Sequence, residues 1–359
     1  MTEYLSIKYA LSDVKKSIKD LEKYKIIRYN SFNSSYRLFG GTDLDIEEAI
    51  LKASEEINES IDLVHRLNEA FDFPILTAKE TLYKTGTPRL FKFIISEKPY
   101  FETPVDEIDG FINLIFNEKL SEKDLVEQTI AGGFPVLFAL YKNSSMIKKT
   151  LLDIQKTEKV LSEVDVDDKF AKIELKNIIK SQKSLLNHYV LDSLYSKNIK
   201  WFFNGEKKSV DSKQKLNKLL SEICSLVYPY TPKINMELIN KHKVSGAINS
   251  ARKLYFERLV NNWSEKDLGY PEDKFPSDKT IYWSLIKNNG IHRFEGEDYI
   301  LTSPSCDDQG FLRVWQECEL FLESEKKEQR QVTDLIKTLK QKPYKIKQGV
   351  VDFIIPTFL

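Results

Sequence analysis

Apolar residues recur along the chain at two spacings, and each spacing predicts one kind of element. Near the start, Val14, Ile18, Leu21 and Tyr24 fall three or four positions apart, which is typical of the buried face of a helix. Two short β-rich runs follow, KIIRY and SYRLF, and turn-forming residues join them. A helix followed by a hairpin is the order of the second half of a winged helix, so a truncated module of that kind is predicted here.

The same order returns in residues 228–301. Short helical patterns over 235–240 and 247–260 precede a loop that contains two prolines. A further short helix is predicted over 280–287, and the runs IHRF and DYILT pair around Glu295, Gly296 and Glu297. This stretch predicts a second winged-helix-like module.

Between the two modules, strand and helix patterns alternate. RLFKFII, FINLIF and PVLFALY are apolar runs of strand length, and the helix-patterned runs SEKDLVEQTIA and MIKKTLLDIQKTEKVLSEV follow the second and the third. This order predicts parallel strands joined by right-handed crossovers. Other helices are predicted over 45–67, 167–195 and 213–227, with a hairpin, IKWFF and KSV, around Asn204-Gly205.

These elements predict a multi-domain chain of mixed α/β and mostly α class. At 359 residues it is too long for one ordinary core. Winged-helix modules are expected to flank a small parallel α/β unit and a helical region. The predicted boundaries are 1–45 for a partial winged helix, 46–165 for a long helix plus the α/β unit, 166–262 for the helical region with a hairpin, and 263–359 for the second module and C-terminal helices.

The amino-acid composition limits the classes of protein to which this chain can belong. Lys+Arg and Asp+Glu both number 54, so a general attraction to nucleic acid is excluded and any such site must come from local clustering. The three cysteines form no CxxC pair, which favours a reducing cytoplasm. With no signal peptide and no apolar run of bilayer-spanning length, a soluble cytoplasmic protein without membrane contact is predicted.

Positive charge does cluster locally. Eight basic residues face three acids between Lys8 and Arg37, and six basic residues face two acids around the second module's leading helices. The candidate contacts to phosphates of double-stranded DNA, which would position the protein rather than read sequence, are Lys15, Lys16, Lys19, Arg28, Lys241, Lys243, Arg252 and Lys253. The alternative for both sets is a solvated lysine face on a module that contacts only protein. The second hairpin is acidic, which argues against phosphate contacts there.

No motif carries catalysis. Walker A, GxSxG, HExxH and CxxC patterns are absent from the sequence. Acids crowd the Gly40-Gly41 pair, and Gly132-Gly133 leads from a helix into a strand, so neither fits a phosphate loop. Glu174 begins an ExK match to metal-dependent nucleases, but within a helix pattern. No catalytic residue, metal ligand or cofactor is predicted, and a packing or surface role is expected for His65, His188, His242 and His292.

The sequence ends on VVDFIIPTFL, an apolar run with no polar exit. Such a run normally packs against something. Three alternatives are open: the protein continues beyond it, the run docks into a partner, or it docks into the chain's own core. Self-association through this tail is therefore a possible outcome.

Five runs, in their order along the chain, carry a family resemblance: RYNSFNSSYRLFGGTDLDIEEAI, LTAKETLYKTGTPRLFKF, YPYTPKINMELINKHKVSGAINSARKL, IYWSLIKNNGIHRF and KPYKIKQGVVDFIIPTFL. Together they resemble the post-ATPase region of very large P-loop ATPases encoded in bacterial phage-defence operons. These include the BREX-type ATPase and related STAND-like or phosphorothioation-linked proteins. The resemblance touches most of the chain, although the individual motifs are loose.

The resemblance implies a function without catalysis in this chain. In the family the Walker motifs lie upstream of a winged helix, so the first module here would follow an ATPase domain. Since the nucleotide site is absent, no catalytic residue is carried over. The implied role is a regulatory or scaffolding segment that binds nucleic acid or other defence-system subunits. The alternatives are a pure protein-interaction subunit and, further away, a diverged metal-dependent nuclease.

Overall fold

The computed structural model describes residues 10–24, 26–30, 35–38, 44–57, 62–71, 73–130, 133–142, 144–165, 168–326 and 329–359. The chain forms two compact units, each built from two separate segments. Unit 1 comprises Met1–Asp72 and Ser144–Asp192, and unit 2 comprises Phe73–Asn143 and Ser193–Leu359. The chain therefore leaves unit 2 after residue 143 and returns to it fifty residues later.

The described residues contain both helices and strands. In chain order the α-helices are α1 (Leu11–Lys23), α2 (Ile46–Glu56), α3 (Leu63–Ala70), α4 (Lys79–Thr85), α5 (Glu122–Thr129), α6 (Ser145–Glu163), α7 (Lys169–Ser193), α8 (Lys213–Val227), α9 (Gly246–Asn261), α10 (Ser277–Tyr282), α11 (Gln309–Glu325), α12 (Val332–Leu339) and α13 (Gln348–Phe358). The strands are β1 (Ile27–Asn30), β2 (Ser35–Leu38), β3 (Leu76–Thr77), β4 (Leu90–Ser96), β5 (Ile108–Ile115), β6 (Val136–Tyr141), β7 (Ile199–Phe203), β8 (Glu206–Lys208), β9 (His292–Glu295) and β10 (Asp298–Leu301).

Unit 1 opens with the expected helix and hairpin. Helix α1 is followed by the antiparallel pair β1–β2, in which Tyr29 lies opposite Tyr36. Of the residues of α1, only Val14 is buried. The residues of the predicted turn at 31–34 lie outside the described part of the chain. The order of elements is confirmed, whereas the winged-helix class is not.

The rest of unit 1 is helical. Ile46 and Ala53 of α2 pack with Val160 of α6 and Leu175 of α7 in one apolar core. The single helix expected over 45–67 is wrong, because α2 ends at Glu56 and α3 begins at Leu63. The side chain of Asp62 accepts a hydrogen bond from the His65 amide (3.0 Å) and caps the new helix.

Unit 2 contains a six-stranded mixed sheet in the order β3-β4-β5-β6-β7-β8. The three central strands β4, β5 and β6 are parallel, as the sequence pattern predicts, while β3, β7 and β8 run antiparallel to their neighbours. Helix α5 connects β5 to β6 and packs on the sheet through Leu125, beside Phe111 and Phe138. The helix after β6 leads into unit 1 and not to another parallel strand.

The hairpin β7–β8 turns at the predicted dipeptide. Asn204 (φ 50°) and Gly205 (φ 76°) both have positive φ, which is the geometry of a type I′ turn. The second strand, Glu206–Lys208, begins two residues before the predicted KSV run and overlaps it at Lys208.

The C-terminal half of unit 2 forms a second, helical core. Helix α9 packs against α10, which continues into a π-helical turn (Trp283–Lys287) and the hairpin β9–β10. This order confirms the predicted helix and hairpin, and again the winged-helix class is not confirmed. The helix expected over 235–240 is wrong: Asn240 instead donates to the carbonyls of Gly86 (3.0 Å) and Ile234 (3.0 Å), which holds this stretch as a loop.

The apolar tail packs into the chain's own core. Helix α13 buries Val350, Val351, Phe353, Ile354 and Ile355 among residues of α9, α10, α11 and α12. The Phe353 ring lies 5.8 Å from the Tyr255 ring and 6.1 Å from the Phe256 ring. Of the alternatives for this tail, docking into the chain's own core is the one that the structure shows for these five residues.

Replacing Phe353 with alanine tests this placement. Phe353 is fully buried, so the Phe353→Ala variant should lose about 3–5 kcal/mol of unfolding free energy in urea titration. The matched control is Leu359→Ala in the same tail, whose side chain is 67% exposed and whose loss should stay within about 0.5 kcal/mol. Small and equal changes in the two variants would mean that the tail does not lie in the core.

Candidate nucleic-acid interface

The lysines of α1 form a line of free positive charge in unit 1. Lys15, Lys16 and Lys19 are exposed, and none makes an ion pair with any described residue. Lys23 continues the line, since Lys15, Lys19 and Lys23 are four residues apart and share one helix face. At 1.5 Å of rise per residue the line is about 12 Å long. Three of the predicted contacts thus lie together and open to solvent.

The fourth predicted residue of this module, Arg28, lies in strand β1, directly after the helix that carries the lysines. Its side chain falls outside the described part of the structure. The module also exposes apolar side chains beside the lysines: Leu11 is 50% exposed, Leu21 36% and Tyr24 71%. Charge and apolar surface therefore occur on the same small element.

The second predicted set lies in unit 2, and half of it is neutralised within the chain. Lys241 pairs with Glu237 (3.2 Å), and Arg252 of α9 pairs with Asp352 of α13 (3.5 Å). Lys243 and Lys253 are exposed and form no ion pair in the described part of the chain. Since Arg252 connects two core helices, its charge is used inside the fold, and this set is the weaker candidate for phosphate contact.

The hairpin β9–β10 carries negative charge. Glu297 and Asp298 are exposed at its turn, and Arg293 donates to Glu295 (3.1 Å) and to the carbonyls of Gly290 (2.9 Å) and Ser303 (3.2 Å). The one arginine of the hairpin is therefore occupied. These contacts leave the hairpin with an acidic turn, which would repel a phosphate backbone.

His292 at the base of this hairpin is a packing residue, as expected. Tyr282 donates to its Nδ1 (2.7 Å), and its Nε2 donates to the Trp263 carbonyl (2.8 Å). Burial lowers the pKa of His292, so the ring is neutral at physiological pH and fastens the hairpin to α10.

A buried ionic network in unit 2 was not foreseen from the sequence. Arg89 and Asp109 are fully buried and joined by a bond from Nη1 to Oδ1 of 2.8 Å. Lys347, 3% exposed, donates to the other carboxylate oxygen of Asp109 (2.8 Å). The Arg89 guanidinium also stacks over the Tyr228 ring at 4.7 Å. The sequence signal that could have indicated this network is Asp109, a carboxylate that stands just before the apolar run FINLIF.

Backbone carbonyls satisfy the remaining charge of this network. Arg89 donates to the carbonyls of Tyr344 (3.0 Å) and Lys345 (2.6 Å), and Lys345 donates to the Pro104 carbonyl (2.8 Å). Burial lowers the pKa of Lys345. Arg89 also donates to the Thr231 hydroxyl (2.7 Å), while its Nε has no partner among the described residues. Because the paired donors are directed at groups of the chain itself, the network is a structural joint.

None of the catalytic alternatives has the geometry that it requires among the described residues. Glu174 lies in helix α7, whereas the nuclease element needs a strand. Cys224 and Cys318 are free and buried, and burial raises the pKa of both thiols to about 12, so neither is a ready nucleophile. Within the described ranges, no group of three or more His, Cys, Asp and Glu side chains is placed to hold a metal ion, and no helix there has the length and apolarity to cross a bilayer.

Comparison of this chain with protein-family models, with curated proteins and with solved structures returned no match.

The ionic network predicts that replacing the Asp109 carboxylate with an amide strongly destabilises the protein. Asp109→Asn removes the charge that faces Arg89 and Lys347 and leaves both cations buried, so urea titration should show a loss of about 3–5 kcal/mol. The control Asp106→Asn lies three residues away on an exposed turn with φ 51°, which asparagine tolerates, and should change stability by less than about 0.5 kcal/mol. Equal stability of the two variants would contradict the assigned role.

Proposed function

We propose that this chain is a non-catalytic regulatory or scaffolding segment of a bacterial anti-phage defence ATPase, and that it contacts the phosphate backbone of double-stranded DNA through α1. The observation that carries the proposal is the line of exposed lysines on α1, which includes Lys15, Lys16 and Lys19 and makes no ion pair within the described residues. ATP hydrolysis would belong to an upstream P-loop domain, as the family resemblance implies.

The physical basis of the proposed DNA contact is the release of counterions from the DNA. A cation already paired within a protein gains little by approaching a phosphate, whereas a free lysine displaces a condensed ion from the DNA. By this criterion Lys241 and Arg252 contribute less than the α1 lysines, because each faces a carboxylate of its own chain. Lys243 and Lys253 would supply a secondary contact. Binding of this kind positions the protein on a duplex without reading its sequence.

The acidic hairpin β9–β10 has no phosphate contact in this proposal. In winged-helix proteins that bind DNA, the recognition helix and the wing both approach the duplex. Here the hairpin β9–β10 lacks the required positive charge, so this hairpin is assigned to contacts within the protein or with other subunits.

A second function is favoured by a separate observation. The module that carries the lysines also exposes Leu11, Leu21 and Tyr24, and an exposed apolar face beside charged residues is typical of a protein-contact surface. If a partner subunit of the defence system bound to this face, the lysines would lie in solvent at the edge of the interface and would not contact DNA.

A salt series distinguishes the two functions. Fluorescence polarisation with a labelled duplex, from about 50 mM to about 200 mM salt, should show micromolar or weaker binding that falls steeply as salt rises. In the variant Lys15→Ala/Lys19→Ala, the slope of log K against log salt should decrease by about 2, because each phosphate contact contributes about 0.9.

The control is Lys176→Ala/Lys180→Ala on α7, which removes two exposed lysines at the same i,i+4 spacing in the same unit. This variant should keep the wild-type slope. Absence of binding at about 50 mM salt, or equal effects of the two double variants, would reject DNA contact through α1 and leave the protein-contact function.

A further inference from the structure

A groove in unit 2 gathers lysines that form no ion pair with a described residue. It runs between α4 and α8, two helices that pack against each other. One part is a cavity of about 680 Å³, which is lined by Lys79, Lys213 and Lys218 among other polar residues. A second cavity of about 400 Å³ shares Glu80 and Lys218 with the first, so the two form one continuous groove along α8.

The charge balance of the larger cavity is positive. Its one carboxylate, Glu80, is held by Lys84 through an ion pair of 2.6 Å, and this pairing lowers the pKa of Glu80. Lys79, Lys213 and Lys218 are exposed, and none forms an ion pair with a described residue. Lys79, Lys213 and Lys218 thus line a cavity whose one acid, Glu80, pairs with Lys84, while Glu222 lines the smaller cavity.

The positions of these lysines are set by the fold. Asn217 of α8 accepts a hydrogen bond from the Lys79 amide (3.0 Å) and donates to the Thr77 carbonyl (2.7 Å), which fixes the start of α4 against α8. Lys213 and Lys218 stand on the first two turns of α8, a helix of 15 residues whose amino end adds a partial positive charge. The three lysines line one groove because the Asn217 side chain joins the two helices that carry them.

The lining also defines the chemistry of an occupant. Serine, asparagine and glutamine side chains accompany the lysines in the larger cavity, and no aromatic residue lines either cavity. An apolar ligand would gain little burial in such a groove, whereas an anion with several acceptor oxygens would meet both ammonium groups and neutral donors. Ser212 of this set already caps α8 by accepting from the Lys215 amide (3.3 Å).

We propose that the groove between α4 and α8 binds a phosphate-bearing polyanion through Lys79, Lys213 and Lys218. The ligand is either a small polyphosphate, such as a nucleotide, or the backbone of a single-stranded nucleic acid. The proposal does not rest on DNA contact by α1, which lies in unit 1, and the two sites are tested with different variants.

Binding to the full chain is measured with two probes. Isothermal titration calorimetry with inorganic tripolyphosphate reports the small-ligand source, and polarisation of a labelled short oligothymidylate reports the nucleic-acid source. In the variant Lys79→Gln/Lys213→Gln/Lys218→Gln, the affinity for whichever probe binds should fall at least about tenfold, because three charged contacts are lost together. Tripolyphosphate binding identifies a small ligand, and oligothymidylate binding alone identifies a nucleic acid.

The matched control replaces three other exposed, unpaired lysines of unit 2, in the variant Lys92→Gln/Lys119→Gln/Lys123→Gln. It removes the same net charge and should bind as the wild type does. Circular dichroism spectra should coincide for the three proteins, since every replaced lysine is exposed. Failure of both probes to bind at about 50 mM salt, or equal weakening by the two triple variants, would overturn the proposal.

Discussion

Unit 2 depends on one buried guanidinium. Arg89 stands just before strand β4 and donates to Asp109 at the start of β5, to Thr231 after α8 and to the carbonyls of Tyr344 and Lys345 before α13. Four separate parts of the chain are thus joined at one side chain. Burying a charge costs several kcal/mol unless it is paired and hydrogen-bonded, so these segments must be in place together. The sheet and the C-terminal helical core of unit 2 consequently form as one structure.

The network around Arg89 helps to explain how charged groups are divided between the interior and the surface of the protein. In the interior, the paired donors of Arg89, Lys345 and Lys347 are directed at Asp109, the Thr231 hydroxyl and backbone carbonyls. Charges available for binding must lie on the surface, and there they are unevenly distributed. Lysines without a partner line α1 and the groove between α4 and α8, whereas the hairpin β9–β10 is acidic. A chain of zero net charge can therefore carry cationic sites.

The sequence predicted most elements because their hydrophobic periods are clear, as in the parallel strands β4, β5 and β6 and the helix α8. It missed the break between α2 and α3, because Asp62 is also compatible with a helix interior. Its capping bond with the His65 amide is visible only in the structure. It also missed the Arg89 network, since Asp109 and Lys347 are 238 positions apart and only the fold brings them together. The lysines of α1 could be identified from the local charge in the sequence. The pairing of Arg252 with Asp352 could not, because these two residues are far apart in sequence and meet only in the fold.

We propose that α1, and not the acidic hairpin β9–β10, faces the DNA backbone. Hydrogen–deuterium exchange with mass spectrometry, recorded at low salt with and without an excess of duplex DNA, tests it most directly. Contact through α1 predicts slower exchange in peptides that cover Leu11–Lys23 and unchanged exchange in peptides that cover His292–Leu301. Slower exchange in the hairpin, with α1 unaffected by DNA, would contradict it.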